Sequence, residues 1–162
     1  MNSLAGKKIA LFGFAFKKNT GDTRESAAIK LAKAFLVEGG RVDIYDPQVT
    51  EETIRDELTA VVHNGENRTP SRVIHVLTGV KSHVRVVGSP YDAAVEAAAV
   101  VIATEWDVFR CDQMDYRRVY DGMKKPAYLF DGRLVVDEKP LTEIGFKVEI
   151  IGKSAERRYE MF

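Results

Sequence analysis

One cysteine, Cys111, stands in 162 residues. A lone thiol excludes an intramolecular disulfide and a cysteine zinc cluster, and it suits a reducing compartment, so a cytoplasmic location is expected. Charge of neither sign is in excess, because 24 Lys+Arg balance 24 Asp+Glu. A protein that grips nucleic acid through a broad phosphate footprint carries a basic surplus, so no nucleic-acid partner is expected. No apolar run approaches the ~18 residues that would span a bilayer, and no apolar signal region precedes the first strand pattern. Neither membrane insertion nor secretion is therefore expected. His63, His75 and His83 share no metal-ligand spacing, and no Ser-His-Asp or Cys-His arrangement is visible. Cys111 follows Arg110 near a helix start, where a thiol pKa can fall, but a single cysteine of this kind reads as structural. The chain is expected to hold no metal site and no catalytic residue of its own.

What is present is an alternation of apolar runs and helical segments. Hydrophobic residues make up 45% and charged residues 30%, the composition of one soluble globular domain with a proper core. Ile9–Gly13 reads as a buried strand. Ala27, Ala28, Leu31, Ala32, Phe35 and Leu36 share a helical face, and Gly39-Gly40 stops that helix. Val42–Tyr45 is a second strand, closed by Asp46-Pro47, and Thr50–Leu58 a short helix. Asn64–Ser71 has loop composition, and Val73–Leu77 is a short strand or helix within an insertion spanning 48–83. Val84–Val87 is a strand, followed by a Ser89-Pro90 helix start and an alanine-rich helix to about Ala97. Ala99–Ala103 is apolar throughout. A helix at Asp115–Met123, a strand at Ala127–Phe130, a helix at Pro140–Ile144 ended by Gly145 and a strand around Val148 and Ile150 complete the series. Residues 1–153 form the domain and 154–162 a tail.

Strands that are apolar on both faces and alternate with helices form a parallel sheet covered on both sides. With right-handed crossovers the expected fold is α/β: a Rossmann-like, doubly wound, mainly parallel sheet of about six strands with helices on both faces. Such sheets bind ligands beyond the carboxyl ends of their strands, where the strand order reverses, between the first strand and the fourth. Three loops converge there: Phe14–Ser26 after the first strand, Thr104-Glu105-Trp106 after the fourth, and Asp131-Gly132-Arg133 after the fifth.

The first of these is no dinucleotide fingerprint, because the three glycines that bring backbone close to a pyrophosphate are missing. A phosphate there would meet side-chain charge, with Lys17, Lys18 and Arg24 as the available cations and a helix N-terminus close by. Asp22 or Thr23 is the expected N-cap of that helix, and Asp22 with Glu25 has capping-box spacing. Arg133 would project at the same edge. Asp46 stands where a dinucleotide fold carries its ribose-binding acid, but an acid before proline reads as a turn. Trp106 has a core reading beside a cleft-lining one.

The segment Leu4–Ser26 (LAGKKIALFGFAFKKNTGDTRES) closely resembles the start of the C-terminal, UDP-binding domain of the UDP-glucose dehydrogenases, within the UDP-glucose/GDP-mannose dehydrogenase family. The resemblance, to the eukaryotic form above all, continues through Ile44–Pro47, Val101–Asp107, Lys125–Arg133, Ile144–Phe146 and Ile151–Lys153. It implies an NAD-dependent oxidoreductase whose whole form oxidises the C6 hydroxyl of UDP-glucose to UDP-glucuronate with two NAD+, through a cysteine thiohemiacetal and thioester. It also implies that the NAD fingerprint, the nucleophile and a dimerising helix lie in an N-terminal catalytic partner domain, that the whole enzyme is a homo-oligomer, and that this fragment alone is inactive. By the same resemblance Phe16, Lys17 and Arg133 contact the UDP-sugar, Arg24 reaches the NAD of the other domain, and Thr104, Glu105 and Trp106 line the cleft. The family often reads Asp-Gly-Arg-Arg where this chain has Leu134, so a role of the second arginine is lost. Alternatives are a related UDP-N-acetyl-sugar or GDP-mannose dehydrogenase, a non-catalytic nucleotide-binding module, or an ordinary NAD-binding domain, which the missing glycines disfavour.

Overall fold

The computed structural model describes residues 4–60 and 80–153; the readings of Asn64–Ser71, of Val73–Leu77, of His63 and His75 and of the 154–162 tail fall outside them. Six strands, β1 (Lys8–Phe12), β2 (Arg41–Tyr45), β3 (Val84–Val86), β4 (Ala99–Ile102), β5 (Tyr128–Asp131) and β6 (Lys147–Ile150), form one sheet in the order β3-β2-β1-β4-β5-β6. All five pairings are parallel. The order reverses between β1 and β4, as the doubly wound reading requires.

Five α-helices lie wholly within the described residues: α1 (Ala27–Val37), α2 (Glu51–Thr59), α3 (Pro90–Ala94), α4 (Tyr116–Gly122) and α5 (Glu138–Ile144). Four of them begin at a side-chain cap, Glu138–Ile144 being the exception. Thr50 accepts from the Thr53 amide, Ser89 from Asp92 and Asp115 from Arg118, which satisfies N–H groups the first turn leaves open. The helix after Ser89 is shorter than expected. It ends at Ala94, and Glu96 turns out of it in a left-handed conformation, φ 58°.

The core is the sheet itself, with Leu11, Phe12, Val42, Ile44, Val100, Ile102 and Leu129 all closed to solvent. One face of β4 and β5 is different. Register puts Ala99 beside Tyr128 and Val101 beside Phe130, and alternation along each strand points all four to the same side. Tyr128 is 41% and Phe130 40% exposed, and their rings stack with centroids 6.2 Å apart. On this side of the sheet the two rings are open to solvent.

Candidate functional site

The three convergent loops are organised by the carboxylates of Asp46, Glu105 and Asp131, the last of them buried. The backbone after β1 passes through Gly13 at φ 87°, and a Cβ there would lie 2.4 Å from Thr104 Cβ. Only glycine allows β1 and the end of β4 to come this close. The next two peptides are fully paired. Asp46 Oδ2 accepts from the Phe14 and Ala15 amides at 2.7 and 3.0 Å. The Phe14 carbonyl accepts from Ser26 Oγ at 2.8 Å, and the Ala15 carbonyl from Thr104 Oγ1 at 2.7 Å. Phe14 and Ala15 thereby form a buried pedestal. Beyond it the chain swings out, closed by Phe16 N to Asp22 O at 2.8 Å. Phe16 is 47% exposed and Lys17 is exposed beside it.

Asp46 is thus more than the turn read in the sequence. Its Oδ1 does form that turn, accepting from Gln48 and Val49 at 2.8 and 2.9 Å. Its Oδ2 also takes the Trp106 indole N–H at 3.0 Å. The amides that would face a pyrophosphate at the end of β1 already hold an internal carboxylate. The residues present therefore do not fit a dinucleotide bound in the fingerprint manner.

The α1 cap differs from expectation. Ser26 is the N-cap, accepting from the Ala28 amide. Asp22 and Thr23 are engaged with other partners. Asp22 pairs with Arg24, whose Nη2 lies 2.7 Å from Oδ2, and Thr23 Oγ1 donates to Glu57 at 2.6 Å. The Arg24 side chain, then its amide, hold the Asp22 carboxyl down at about 2. The Arg24 side chain is 86% exposed and directed outward with this partner.

At the fourth and fifth strand ends, Glu105 joins two loops. Its Oε2 accepts from Arg133 Nε at 2.6 Å and also pairs with Arg133 Nη2, and its Oε1 takes the Lys18 amide at 3.4 Å. Burial pushes the Glu105 carboxyl up, but its own amide, Arg133 and the Lys18 amide outweigh that and hold it below the usual glutamate range. Arg133 itself sits in a turn organised by Asp131, a buried carboxylate that accepts from the Arg133, Val135 and Val136 amides at 2.8, 2.6 and 2.9 Å. Leu134, 66% exposed at φ 59°, is the apex.

Of the residues expected to line the cleft, Glu105 is half-buried at its rim, whereas Thr104 is closed to solvent and Trp106 is 6% exposed. Both hold the loop from beneath. Lys18 Nζ pairs with Asp107 at 2.8 Å; among the described residues Lys17 has no carboxylate at ion-pair distance. Burial, the largest influence on Cys111, pushes its thiol up, which is the reverse of an activated nucleophile. The described residues include no group of His, Cys, Asp and Glu arranged for a metal, and no helix among them is long and apolar enough to cross a membrane. Sequence reasoning missed Ser26, and it read Asp46 only as a turn; the Phe14, Ala15 and Trp106 partners of these two lie far along the chain, where local spacing gives no signal, whereas Asp131 acts within its own turn, on Arg133, Val135 and Val136.

Residues 10–138 match the UDP-binding domain of the UDP-glucose/GDP-mannose dehydrogenase family. The chain is 46% identical over 156 residues to UDP-glucose 6-dehydrogenase of Drosophila melanogaster, a match covering 96% of this chain and 30% of that protein. It is 49% identical over 152 residues to UDP-glucose 6-dehydrogenase 2 of Oryza sativa subsp. japonica, covering 94% of this chain and 31% of the relative. Among solved structures, a UDP-glucose dehydrogenase from Pyrobaculum islandicum superimposes with a TM-score of 0.55 at 26% identity, over 90% of this chain and 25% of that one. The chain spans about 30% of the length of these curated relatives.

Proposed function

This chain belongs to the UDP-glucose/GDP-mannose dehydrogenase family by its UDP-binding domain, and from that premise we propose that it supplies the UDP-sugar half of a cytoplasmic, NAD-dependent UDP-glucose 6-dehydrogenase. In this reading residues 1–153 are the binding domain, 154–162 a tail, and the complete enzyme a homo-oligomer that makes UDP-glucuronate. Lys17 and Arg133 receive the diphosphate, and Phe16 packs beside the nucleotide. The carrying observation is the Glu105 carboxylate, which holds the Lys18 amide and the Arg133 guanidinium at once. The two loops bearing Lys17 and Arg133 are therefore neighbours at the strand-order reversal, where open parallel sheets bind ligands.

Binding through side-chain cations rather than glycine backbone suits a diphosphate with one nucleoside. It also suits a division of labour in which NAD, whose hydride chemistry completes the oxidation, is held by the remainder of the protein. Arg24, outward-facing on its Asp22 partner, is positioned to meet a cofactor carried there.

Calorimetric or NMR titration of this chain with UDP, UDP-glucose, GDP and NAD+ tests the reading. UDP and UDP-glucose are expected to bind, with GDP and NAD+ weaker. Lys17→Ala and Arg133→Ala should each weaken UDP by about 10- to 100-fold, the range of a lost charge-assisted hydrogen bond. UDP affinity unchanged in both variants, or a preference for NAD+, would remove the reading.

A further inference from the structure

We propose that Glu105 is a positioning residue for nucleotide binding: it fixes Arg133 so that the free edge of its guanidinium meets the diphosphate. This rests on the reading that Arg133 binds UDP. Arginine is long and flexible, and freezing such a side chain on association weakens binding unless it is ordered beforehand. Arg133 is ordered beforehand. Both Nε and Nη2 are held by the single oxygen Oε2 of Glu105. That leaves the Nη1–Nη2 edge, a fork that matches two phosphate oxygens. Glu105 is itself held in place, because its other oxygen accepts from the Lys18 amide, next to Lys17. The one carboxylate therefore sets both the aim of Arg133 and its distance from the Lys17 loop.

The opposite role is physically reasonable and has the opposite sign. A carboxylate beside a diphosphate site repels the ligand and competes for the arginine. If that effect ruled, removing Glu105 would tighten binding.

UDP affinity of this chain, measured at fixed salt for wild type, Glu105→Ala, Glu105→Gln, Arg133→Ala and the Glu105→Ala/Arg133→Ala pair, separates these roles. Positioning predicts that Glu105→Ala binds UDP about tenfold more weakly. Glu105→Gln, whose amide oxygen still accepts from Arg133, stays within about threefold of wild type. In the Arg133→Ala background the loss caused by Glu105→Ala shrinks well below about tenfold, because only the Lys18 tether is left to lose, which a general structural role would not reproduce. Tighter or unchanged UDP binding in Glu105→Ala, or an equal loss in the Arg133→Ala background, overturns the proposal. Should Glu105→Ala fail to fold, Arg133→Lys carries the test. It keeps the charge but lacks the planar fork that lies side-on against Glu105 while offering two parallel N–H donors to a phosphate, so its affinity should fall close to that of Arg133→Ala, and near-wild-type affinity overturns the proposal. Wild type and Arg133→Ala binding UDP alike, or neither binding it, sinks the underlying reading of the site and the proposal with it.

Discussion

The Asp46 carboxylate accepts five hydrogen bonds, from Phe14, Ala15, Gln48, Val49 and the Trp106 indole. Asp46→Ala leaves a buried indole N–H and the pedestal amides unpaired, each a loss of about 1–3 kcal/mol when no water replaces the acceptor. A fall in unfolding free energy of about 3 kcal/mol is expected in urea titrations, together with loss of the ordered β1 loop. Glu105 gives a second residue-scale expectation. Its carboxyl is held below the usual glutamate range, so the native state binds its proton less readily than the unfolded chain does. The stability this contributes is present above the unfolded glutamate pKa of about 4.3 and is lost as pH falls through the lower native value. Thermal melts of wild type and Glu105→Gln should therefore converge as pH drops from about 5 to 3, with the wild type losing more. Melting curves that run parallel across that interval contradict this. The charged residues of this edge were legible in the sequence because strand ends can be read from hydropathy. Asp46 was legible only as a turn, because nothing local says that its second oxygen serves a loop 32 residues away.

Elements meet here through close approach. Gly13 at the end of β1 lies where a Cβ would stand 2.4 Å from Thr104 Cβ and 2.9 Å from the Thr104 amide nitrogen, in a left-handed conformation as well. Gly13→Ala is expected to destabilise by about 2–4 kcal/mol, through strain that relaxing a rotamer does not relieve. Thr104→Gly in the same chain should recover only part of it, since φ stays positive; chemical denaturation checks both. The start of α1 shows how local pattern misleads. Asp22, Thr23 and Glu25 resemble a cap, but Arg24 claims Asp22 and Glu57 claims Thr23, and the helix begins after Ser26. Ser26→Ala, which loses both the cap and the bond to the Phe14 carbonyl, should destabilise by about 1–3 kcal/mol. Asp22→Ala, exposed and outside the helix, should stay within about 0.5 kcal/mol. The same denaturation series separates the two, and equal effects would return the cap to Asp22.

At the scale of the molecule, the alternation of strands and helices fixed both the strand order and the edge where the loops meet, because handed crossovers leave few topologies. Coverage was less legible. Tyr128 and Phe130 occur in a run, Ala127–Phe130, that reads as buried on both sides, yet Ala127 and Leu129 are buried while the two aromatic residues between and after them are exposed. A sequence window shows that a strand is apolar and not which flank another part of a protein roofs over. The stacked pair on that flank sets how the chain behaves in a concentrated solution. Greasy rings displayed on a flat, rigid surface favour sticking between molecules that are themselves correctly folded. Phe130→Thr with Tyr128→Thr should lower concentration-dependent light scattering and shift sedimentation toward the smallest species, while the unfolding midpoint barely moves. Scattering that is indifferent to the two changes would mean that the flank is innocuous, and that any clumping of this chain begins elsewhere.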